Sequence, residues 1–174
     1  MTVERMIDEV IRREGGYVNH PDDRGGPTNF GITRATLSRW LKRQASVLEV
    51  SHLDIETARE IYLDDYYIRP GIDRLPEPWQ PLVFDWGVNS GPSTAIRELQ
   101  KLCNLHGCHV GRMDGVIGPK TIAGAQKFLR EPLHWYLNSR RDFYHRLVAN
   151  DPSQQVFLKG WLARVDRLEE ELVG

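Results

Sequence analysis

The strongest constraint on this chain is a helix close to the N-terminus that ends at a pair of glycines. Its apolar residues recur at helical spacing and form one stripe: Val3, Met6, Ile7, Val10 and Ile11. This pattern predicts a helix over residues 3–14, and Gly15 and Gly16 end it because glycine favours the backbone conformations found after helix C-termini. The chain therefore turns just after Glu14, which lies at the end of the helix.

A small hairpin is predicted to follow this helix. The run Asp22-Asp23-Arg24-Gly25-Gly26 favours a tight turn, because glycine allows positive φ and aspartate side chains stabilise turns. Residues 28–33 are short and β-prone, which is typical of a returning strand. A hairpin within residues 17–33 would fold both aspartates and Thr28 back towards Glu14.

Glu14 and the two aspartates are residue types that glycoside hydrolysis requires. One carboxylic acid protonates the leaving oxygen, and a second carboxylate acts as nucleophile or orders a water molecule. Taken singly, a glutamate before Gly-Gly is typical of a helix end, and Asp-Asp-x-Gly-Gly is typical of a solvated turn. Brought together by one hairpin, Glu14 and either Asp22 or Asp23 form the carboxylate pair of a glycosidase.

The same stretch resembles a known family signature. From Glu14 to Ile32 the chain reads Glu-Gly-Gly-Tyr-x-Asn-x-Pro-x-Asp-x-Gly-Gly-x-Thr-x-x-Gly-Ile. This run resembles the N-terminal signature of glycoside hydrolase family 108. Members are N-acetylmuramidases with a lysozyme-like fold, found in phage endolysins and in bacterial proteins labelled secretion activators. The resemblance implies that Glu14 is the catalytic acid.

A looser phage-lysozyme pattern leaves the choice of aspartate open. That pattern places eight residues between Glu and Asp or Cys, and five between that residue and Thr. Eight residues separate Glu14 from Asp23, whereas Asp22 is the aspartate that stands five residues before Thr28. Asp22, Asp23 and Thr28 therefore join Glu14 as the predicted catalytic residues.

Six further residues are predicted to bind substrate: Tyr17, Asn19, Asn29, Tyr66, Trp86 and Asn89. Tyr17 and Asn19 belong to the signature and would support the hairpin or line the groove. The aromatic and acidic run over residues 61–67 could line a cleft, although a helix there buries some aromatics in any case. Asn89 is expected in a glycine-flanked loop beside Trp86, where an amide that donates and accepts suits an acetamido or hydroxyl group.

The second half of the chain extends the resemblance. The runs over residues 84–92 and 114–121 resemble the family's C-terminal half, which is described as a predicted peptidoglycan-binding domain. Pro92 and Pro119 each follow a glycine and are placed to begin helices, so the Asp114-Gly115 turn needs no ligand to explain it. We expect one lysozyme-like domain over residues 1–174, with a catalytic half (1–80) and a helical, peptidoglycan-binding half (81–174).

The predicted fold class is mainly α, of the α+β lysozyme type: a helical bundle with one small β-hairpin beside the active-site cleft. Amphipathic spacing and proline or glycine boundaries predict helices over residues 3–14, 33–43, 54–67, 79–86, 92–105, 119–129, 133–149 and 153–172.

Composition excludes some function classes and sets expectations for the partners. The net charge is −1, so the chain carries no electrostatic footprint for nucleic acid. No apolar run approaches the ~20 residues of a membrane span, and the first residues do not resemble a signal peptide. We expect a monomer made in the cytoplasm, with no stable membrane insertion. It would act on the glycan strand of periplasmic peptidoglycan after release, for which the family context implies a holin.

The two cysteines lie in a short polar segment. Cys103, His106, Cys108 and His109 could supply four zinc ligands, but their spacing is cramped and matches no standard zinc module. A disulfide between the cysteines is the second alternative. Cytoplasmic synthesis favours the third, reduced structural thiols. We therefore expect no metal and no cofactor.

The favoured function is a peptidoglycan N-acetylmuramidase that hydrolyses the β-1,4 bond between N-acetylmuramic acid and N-acetylglucosamine during phage-induced lysis. Two other classes stay open. A lytic transglycosylase needs a single acid and leaves an anhydro-sugar product. A non-hydrolytic wall-binding module, or a secretion-associated wall-remodelling protein, would bind the glycan without turning it over.

Overall fold

A computed structural model describes residues 2–19, 26–128 and 132–173 of the chain. Within these residues there are nine α-helices and one two-stranded antiparallel hairpin. The prediction of a mainly α protein with a small β-hairpin is therefore confirmed. The chain divides into two compact units, residues 1–68 (unit 1) and residues 69–174 (unit 2). The assignment of all 174 residues to one lysozyme-like domain stays a prediction.

Unit 1 is built from four helices and the hairpin. The helices are α1 (Val3–Glu14), α2 (Arg34–Leu41), α3 (Val47–Ser51) and α4 (Ile55–Leu63), and a π-helical turn (Asp64–Ile68) continues α4. Each α-helix begins at a polar side chain that accepts a hydrogen bond from a backbone N–H of the first turn: Thr2, Thr33, Ser46 and Asp54. Helix α1 has the predicted bounds. The sequence analysis missed α3, which is only five residues long.

The hairpin differs in detail from its prediction. Residues 28–33, expected as one returning strand, contain both strands, β1 (Thr28–Asn29) and β2 (Ile32–Thr33). The turn between them is Phe30-Gly31, with φ of 52° and 75°, and two-residue hairpin turns with positive φ at both central positions match the twist of the strands. Val18 pairs antiparallel with Thr28 in an isolated bridge, and both residues lie within the predicted span of 17–33.

The core of unit 1 forms where α1, α4 and the hairpin pack together. The stripe of α1 is buried as expected, with Val10 only 1% exposed. Ile32 of the hairpin and Ile61 of α4 are also almost fully buried. Burying each aliphatic side chain of this size stabilises the fold by about 1.5–3 kcal/mol. The apolar stripe thus fixes α1, and with it the helix end that carries Glu14.

Unit 2 contains five α-helices within the described residues. They are α5 (Gln80–Ser90), α6 (Pro92–Leu105), α7 (Pro119–Lys127), α8 (Pro132–Asn150) and α9 (Gln155–Val173). Short 3-10 turns lie at Ile72–Arg74, Glu77–Trp79 and Pro152–Gln154. Helix α5 runs four residues beyond the predicted 79–86, so the loop expected around Asn89 is helical. None of the described helices combines the length and apolar character needed to cross a bilayer.

Candidate active site

Glu14 is the last residue of α1, and its side chain is exposed. Gly15 follows with φ of 76°, and its N–H donates to the carbonyl of Ile11 over 3.2 Å, which closes the last turn of the helix. The carboxyl group therefore lies at the exposed end of α1, and the apolar stripe along one face of this helix is buried. Such a group is held by a rigid element and is reachable by a large substrate.

The hairpin turn packs directly against the Glu14 side chain. Gly31 has φ of 75°, and a Cβ atom at this position would lie 2.6 Å from Tyr62 Oη and 2.8 Å from Glu14 Cγ. Only glycine allows this approach, because both the backbone conformation and the space exclude a side chain. Tyr62 also holds the turn, since its hydroxyl donates to the carbonyl of Phe30 over 2.9 Å.

Tyr66 adds a polar group to the same neighbourhood. It follows α4 in the π-helical turn, and its ring centroid lies 5.4 Å from that of Tyr62. Burial raises the pKa of the Tyr66 hydroxyl, and the positive charge of Arg39 opposes this effect. The negative charges of Asp65 and Glu14 raise that pKa further. The Tyr66 hydroxyl therefore lies within the electrostatic reach of the predicted acid.

Three residues of this cluster were not predicted from the sequence: Gly31, Tyr62 and Asp65. Asp65 is largely buried and lies 4.0 Å from Arg39. A signal for Gly31 was present, because it is one of the fixed positions of the signature. Tyr62 and Asp65 belong to the run over residues 61–67 that could line a cleft, but the sequence did not single out either residue.

Three other predicted residues of unit 1, Tyr17, Asn19 and Thr28, lie at or next to the bridge between Val18 and Thr28. Tyr17 is 41% exposed and Asn19 is also exposed, on either side of the bridge formed by Val18. Thr28 is half-buried, and its backbone exchanges hydrogen bonds of 2.8 and 2.9 Å with Val18. Asp22 and Asp23 lie outside the described residues.

Asn29 is buried, and its side chain has a clear structural task. It is 5% exposed, and its amide nitrogen donates to the carbonyls of Val50 and Ser51 over 3.1 and 3.3 Å, with a longer contact of 3.5 Å to Leu53. These carbonyls lie at the end of α3. We therefore assign Asn29 to holding α3 against β1, which corrects the predicted contact with substrate.

Trp86 is a core residue of unit 2. Its side chain has no exposed surface, and its ring centroid lies 4.9 Å from Tyr136 and 5.6 Å from Phe143. A side chain without accessible surface cannot contact a glycan, which corrects its predicted role. Among the described residues, none accepts a hydrogen bond from the buried indole Nε1.

Asn89 lies in the last turn of α5 and is half-buried. Its Oδ1 accepts a hydrogen bond from the hydroxyl of Tyr144 on α8. That hydroxyl accepts in turn from Arg140 Nε over 2.8 Å, and Arg140 Nη1 lies 2.7 Å from Asp85 Oδ2. Asn89 is thus the half-buried end of a hydrogen-bonded chain that begins at the buried Asp85.

Asp85 lies at the buried end of this series of hydrogen bonds and pairs with two arginines, Arg140 and Arg164. Arg164 donates to both carboxylate oxygens, at 3.1 to 3.2 Å, and Arg140 donates to one of them. Burial by itself would raise the pKa of Asp85, but the two guanidinium charges and their hydrogen bonds outweigh it and lower the pKa to about 2. The carboxyl group is therefore ionised, and it compensates buried positive charge.

The Asp114-Gly115 turn is organised from within the protein. The buried amide of Gln100 donates to Asp114 and Thr121 over 2.9 and 3.1 Å, and it accepts from the N–H of Gly115 over 3.0 Å. These bonds account for the turn without a ligand, as expected. A cavity of about 490 Å³ lies beside it, and its rim carries Arg112 and Lys120.

Both cysteines are free thiols. Burial raises the pKa of Cys103 to about 12, and the nearby Cys108 adds to this. Within residues 2–19, 26–128 and 132–173, no group of three or more His, Cys, Asp and Glu side chains is placed to hold a metal ion.

Comparisons with known proteins found two family matches and a similar solved structure. The model of the family described as Glycosyl hydrolase 108 matches residues 7–91, and the model described as Predicted Peptidoglycan domain matches residues 94–166. The structure of SagA from Brucella abortus is similar, with 34% sequence identity and a TM-score of 0.83 over 98% of this chain and 93% of that one. A search of curated proteins found no match.

Proposed function

This chain belongs to glycosyl hydrolase family 108, and we propose that it is an N-acetylmuramidase with Glu14 as its general acid. The family and the peptidoglycan domain make it a peptidoglycan-degrading glycosidase. The proposed reaction is hydrolysis of the β-1,4 bond between N-acetylmuramic acid and N-acetylglucosamine.

One observation carries the assignment of Glu14. Glu14 lies at the exposed end of α1, and the glycine turn, which Tyr62 holds by a hydrogen bond to Phe30, packs against its Cγ atom from one side. A general acid must reach the glycosidic oxygen in a defined direction, and a helix end held by a close-packed turn supplies that direction. In the proposed step, Glu14 donates its proton to the leaving oxygen as the glycosidic bond breaks.

The second half of the reaction requires a group that stabilises the positive charge developing on the sugar or activates water. Asp22 and Asp23 are the candidates, by charge, by water positioning or by covalent attack. Thr28 would position the water or the substrate. Tyr66, whose pKa the charge of Glu14 helps to raise, would orient the acid or a sugar hydroxyl. The exposed Tyr17 and Asn19 would line the groove.

We place binding of the wall polymer partly in unit 2. The peptidoglycan domain matches residues 94–166, and this segment includes the cavity whose rim carries Arg112 and Lys120. Positive side chains there would attract the carboxylates of peptidoglycan stem peptides. The proposed setting is phage-induced lysis by a monomer that reaches the wall through a holin-dependent release.

The experiment compares wild type, Glu14→Gln and Glu4→Gln on purified Gram-negative peptidoglycan. Glu4 is an exposed glutamate in the first turn of the same helix, so its variant controls for the loss of one carboxylate. Released fragments are reduced and weighed by mass spectrometry. We expect products with a reducing-end muramic acid from wild type and Glu4→Gln, and none from Glu14→Gln.

Two other outcomes would replace the proposal. Anhydro-muramic products would identify a lytic transglycosylase. Retained binding to sacculi without any product from wild type would identify a binding module. Turnover by Glu14→Gln at the wild-type rate would remove Glu14 from the role of acid.

A further inference from the structure

The hydrogen-bonded chain that ends at Asn89 has a fixed direction. Arginine carries only donors, so in the contact between Arg140 Nε and the Tyr144 hydroxyl, the tyrosine oxygen must accept. The hydroxyl proton of Tyr144 then remains to be donated. Because Tyr144 is only 1% exposed, that proton needs an acceptor inside the protein.

The acceptor is the side-chain oxygen of Asn89. In the part of the chain that the structure describes, Asn89 Oδ1 is the group that receives the Tyr144 proton, and the hydroxyl of Ser90 also approaches it, at 3.5 Å. The reverse orientation of the amide would place an N–H group against a hydroxyl that needs an acceptor, and it would leave a buried proton unpaired. Because Arg140 can only donate, Asn89 Oδ1, and not Nδ2, faces the Tyr144 hydroxyl.

The consequence appears at the other end of the amide, at Nδ2. With Oδ1 turned towards Tyr144, the two N–H bonds of Nδ2 point elsewhere, and no described residue accepts a hydrogen bond from them. An amide free to rotate could donate or accept. Asn89 is restricted to donating.

We propose that Asn89 is a donor-only subsite residue, and that it binds a carbonyl oxygen of the glycan strand. This inference rests on the proposed function, because it takes the wall glycan as the ligand. Tyr144 is a positioning residue that acts through Asn89. Two groups of the glycan carry such an oxygen: the acetamido group of either sugar and the lactyl group of muramic acid. Both oxygens only accept, whereas sugar hydroxyls could pair with either end of an amide.

The test measures binding by isothermal titration with variants that carry Glu14→Gln, so that the ligand stays intact. The ligands are an N-acetylglucosamine oligomer, the same oligomer after N-deacetylation, and a glycan fragment that contains muramic acid. Asn89→Asp is the informative change. It keeps an oxygen that accepts from Tyr144, so the fold is retained, and it replaces the outward N–H donors with a carboxylate oxygen.

We expect Asn89→Asp to weaken binding of the acetylated oligomer at least tenfold. The Glu14→Gln parent should prefer this oligomer over the deacetylated one, and the variant should lose that preference. A loss confined to the fragment with muramic acid would identify the lactyl oxygen as the partner. Asn138→Asp on α8 is the matched control and should bind like the parent.

Tyr144→Phe gives an independent reading of the positioning role. It removes the hydroxyl and leaves Asn89 chemically unchanged, so the amide can turn either way. We expect a smaller loss of affinity, with a partial loss of the preference for acetylated ligand. A purely structural role of Tyr144 would lower thermal stability and leave that preference intact.

The proposal is overturned if Asn89→Asp binds all three ligands as its parent does, or weakens them equally. Failure of the proposed function looks different. If wild type does not cleave peptidoglycan but Asn89→Asp still loses the preference, the muramidase assignment fails and the donor-only subsite stands. If wild type cleaves and the preference is unchanged, only the subsite fails.

Discussion

The surroundings of Glu14 in unit 1 and of Asn89 in unit 2 position a polar side chain by different means. Glu14 is held by close approach: an apolar stripe fixes its helix, and a glycine turn touches its Cγ atom. Asn89 is held by a chain of hydrogen bonds that starts at a buried, ionised Asp85. Packing fixes the position of the Glu14 side chain, whereas hydrogen bonding fixes the direction in which the Asn89 amide can act.

The largest expected effect comes from removing the charge of Asp85, the buried carboxylate that pairs with Arg140 and Arg164 in unit 2. Asp85→Asn leaves two buried guanidinium groups without their counter-charge, and removing one partner of a buried ion pair costs about 3–5 kcal/mol. Urea unfolding measures the loss. Asp166→Asn is the control, because Asp166 pairs with Arg141 at the surface, where such pairs contribute about 0–1 kcal/mol. Equal losses in the two variants would contradict the buried pairing of Asp85.

The glycine turn of unit 1 gives the next effect. Gly31→Ala forces a Cβ towards Tyr62 Oη and Glu14 Cγ at a positive φ, and a strained backbone conformation of this kind costs about 1–3 kcal/mol. Peptidoglycan turnover should fall as well, because Glu14 is displaced. The control is Gly16→Ala, since a Cβ there meets no atom within 4 Å. Unchanged turnover by Gly31→Ala would show that the turn does not position the acid.

The buried pairing of Asp85 also predicts a dependence on pH. The pKa of Asp85 falls from its usual 3.8 to about 2 on folding, so the unfolded chain binds the proton more tightly. The stabilisation is complete above about pH 4 and is lost as the pH falls from about 4 towards 2, with a total of about 2 kcal/mol. Urea unfolding at a series of pH values checks this. Asp85→Asn should lack that part of the acid dependence.

The smallest effect concerns the contact between Tyr62 and the hairpin turn. Tyr62→Phe removes the hydrogen bond to the Phe30 carbonyl, which contributes about 0.5–1.5 kcal/mol. In the Gly31→Ala background the same change should cost less, because it also removes the atom closest to the new Cβ. A double-mutant cycle measures this coupling, and additive effects would contradict the close approach.

The sequence predicted those features of the fold that have local causes. Helix α1 and helix α6 have their predicted bounds, because an apolar stripe, a glycine pair and a Gly-Pro start all act within a few residues. Helix α3 is too short to show a period, and its signal was the capping box between Ser46 and Glu49. The turn at Phe30-Gly31 was missed, because residues 28–33 were predicted as one returning strand and the predicted turn was placed earlier, at residues 22–26.

The residues of the candidate site that the sequence marks most clearly belong to a contiguous signature, and Tyr66 was predicted only from the aromatic run that contains it. Glu14 and Gly31 belong to the signature, and both lie in the cluster around the end of α1. The partners of Asp85 lie 55 and 79 residues further along the chain, and no local pattern indicates such a pairing. For Trp86 the sequence predicted a contact with substrate that its burial excludes, because the sequence of a helix does not show whether an aromatic residue is buried or lines a groove.

The pairing of Asp85 also limits how this chain can be divided. Asp85 lies inside the segment that matches the glycosyl hydrolase model, and both of its arginines lie inside the segment that matches the peptidoglycan domain. A truncation between the two segments, near residue 92, would therefore separate a buried acid from the two arginines that pair with it. The two segments are not interchangeable modules, and a chimera with a foreign second segment would have to retain arginines at positions 140 and 164.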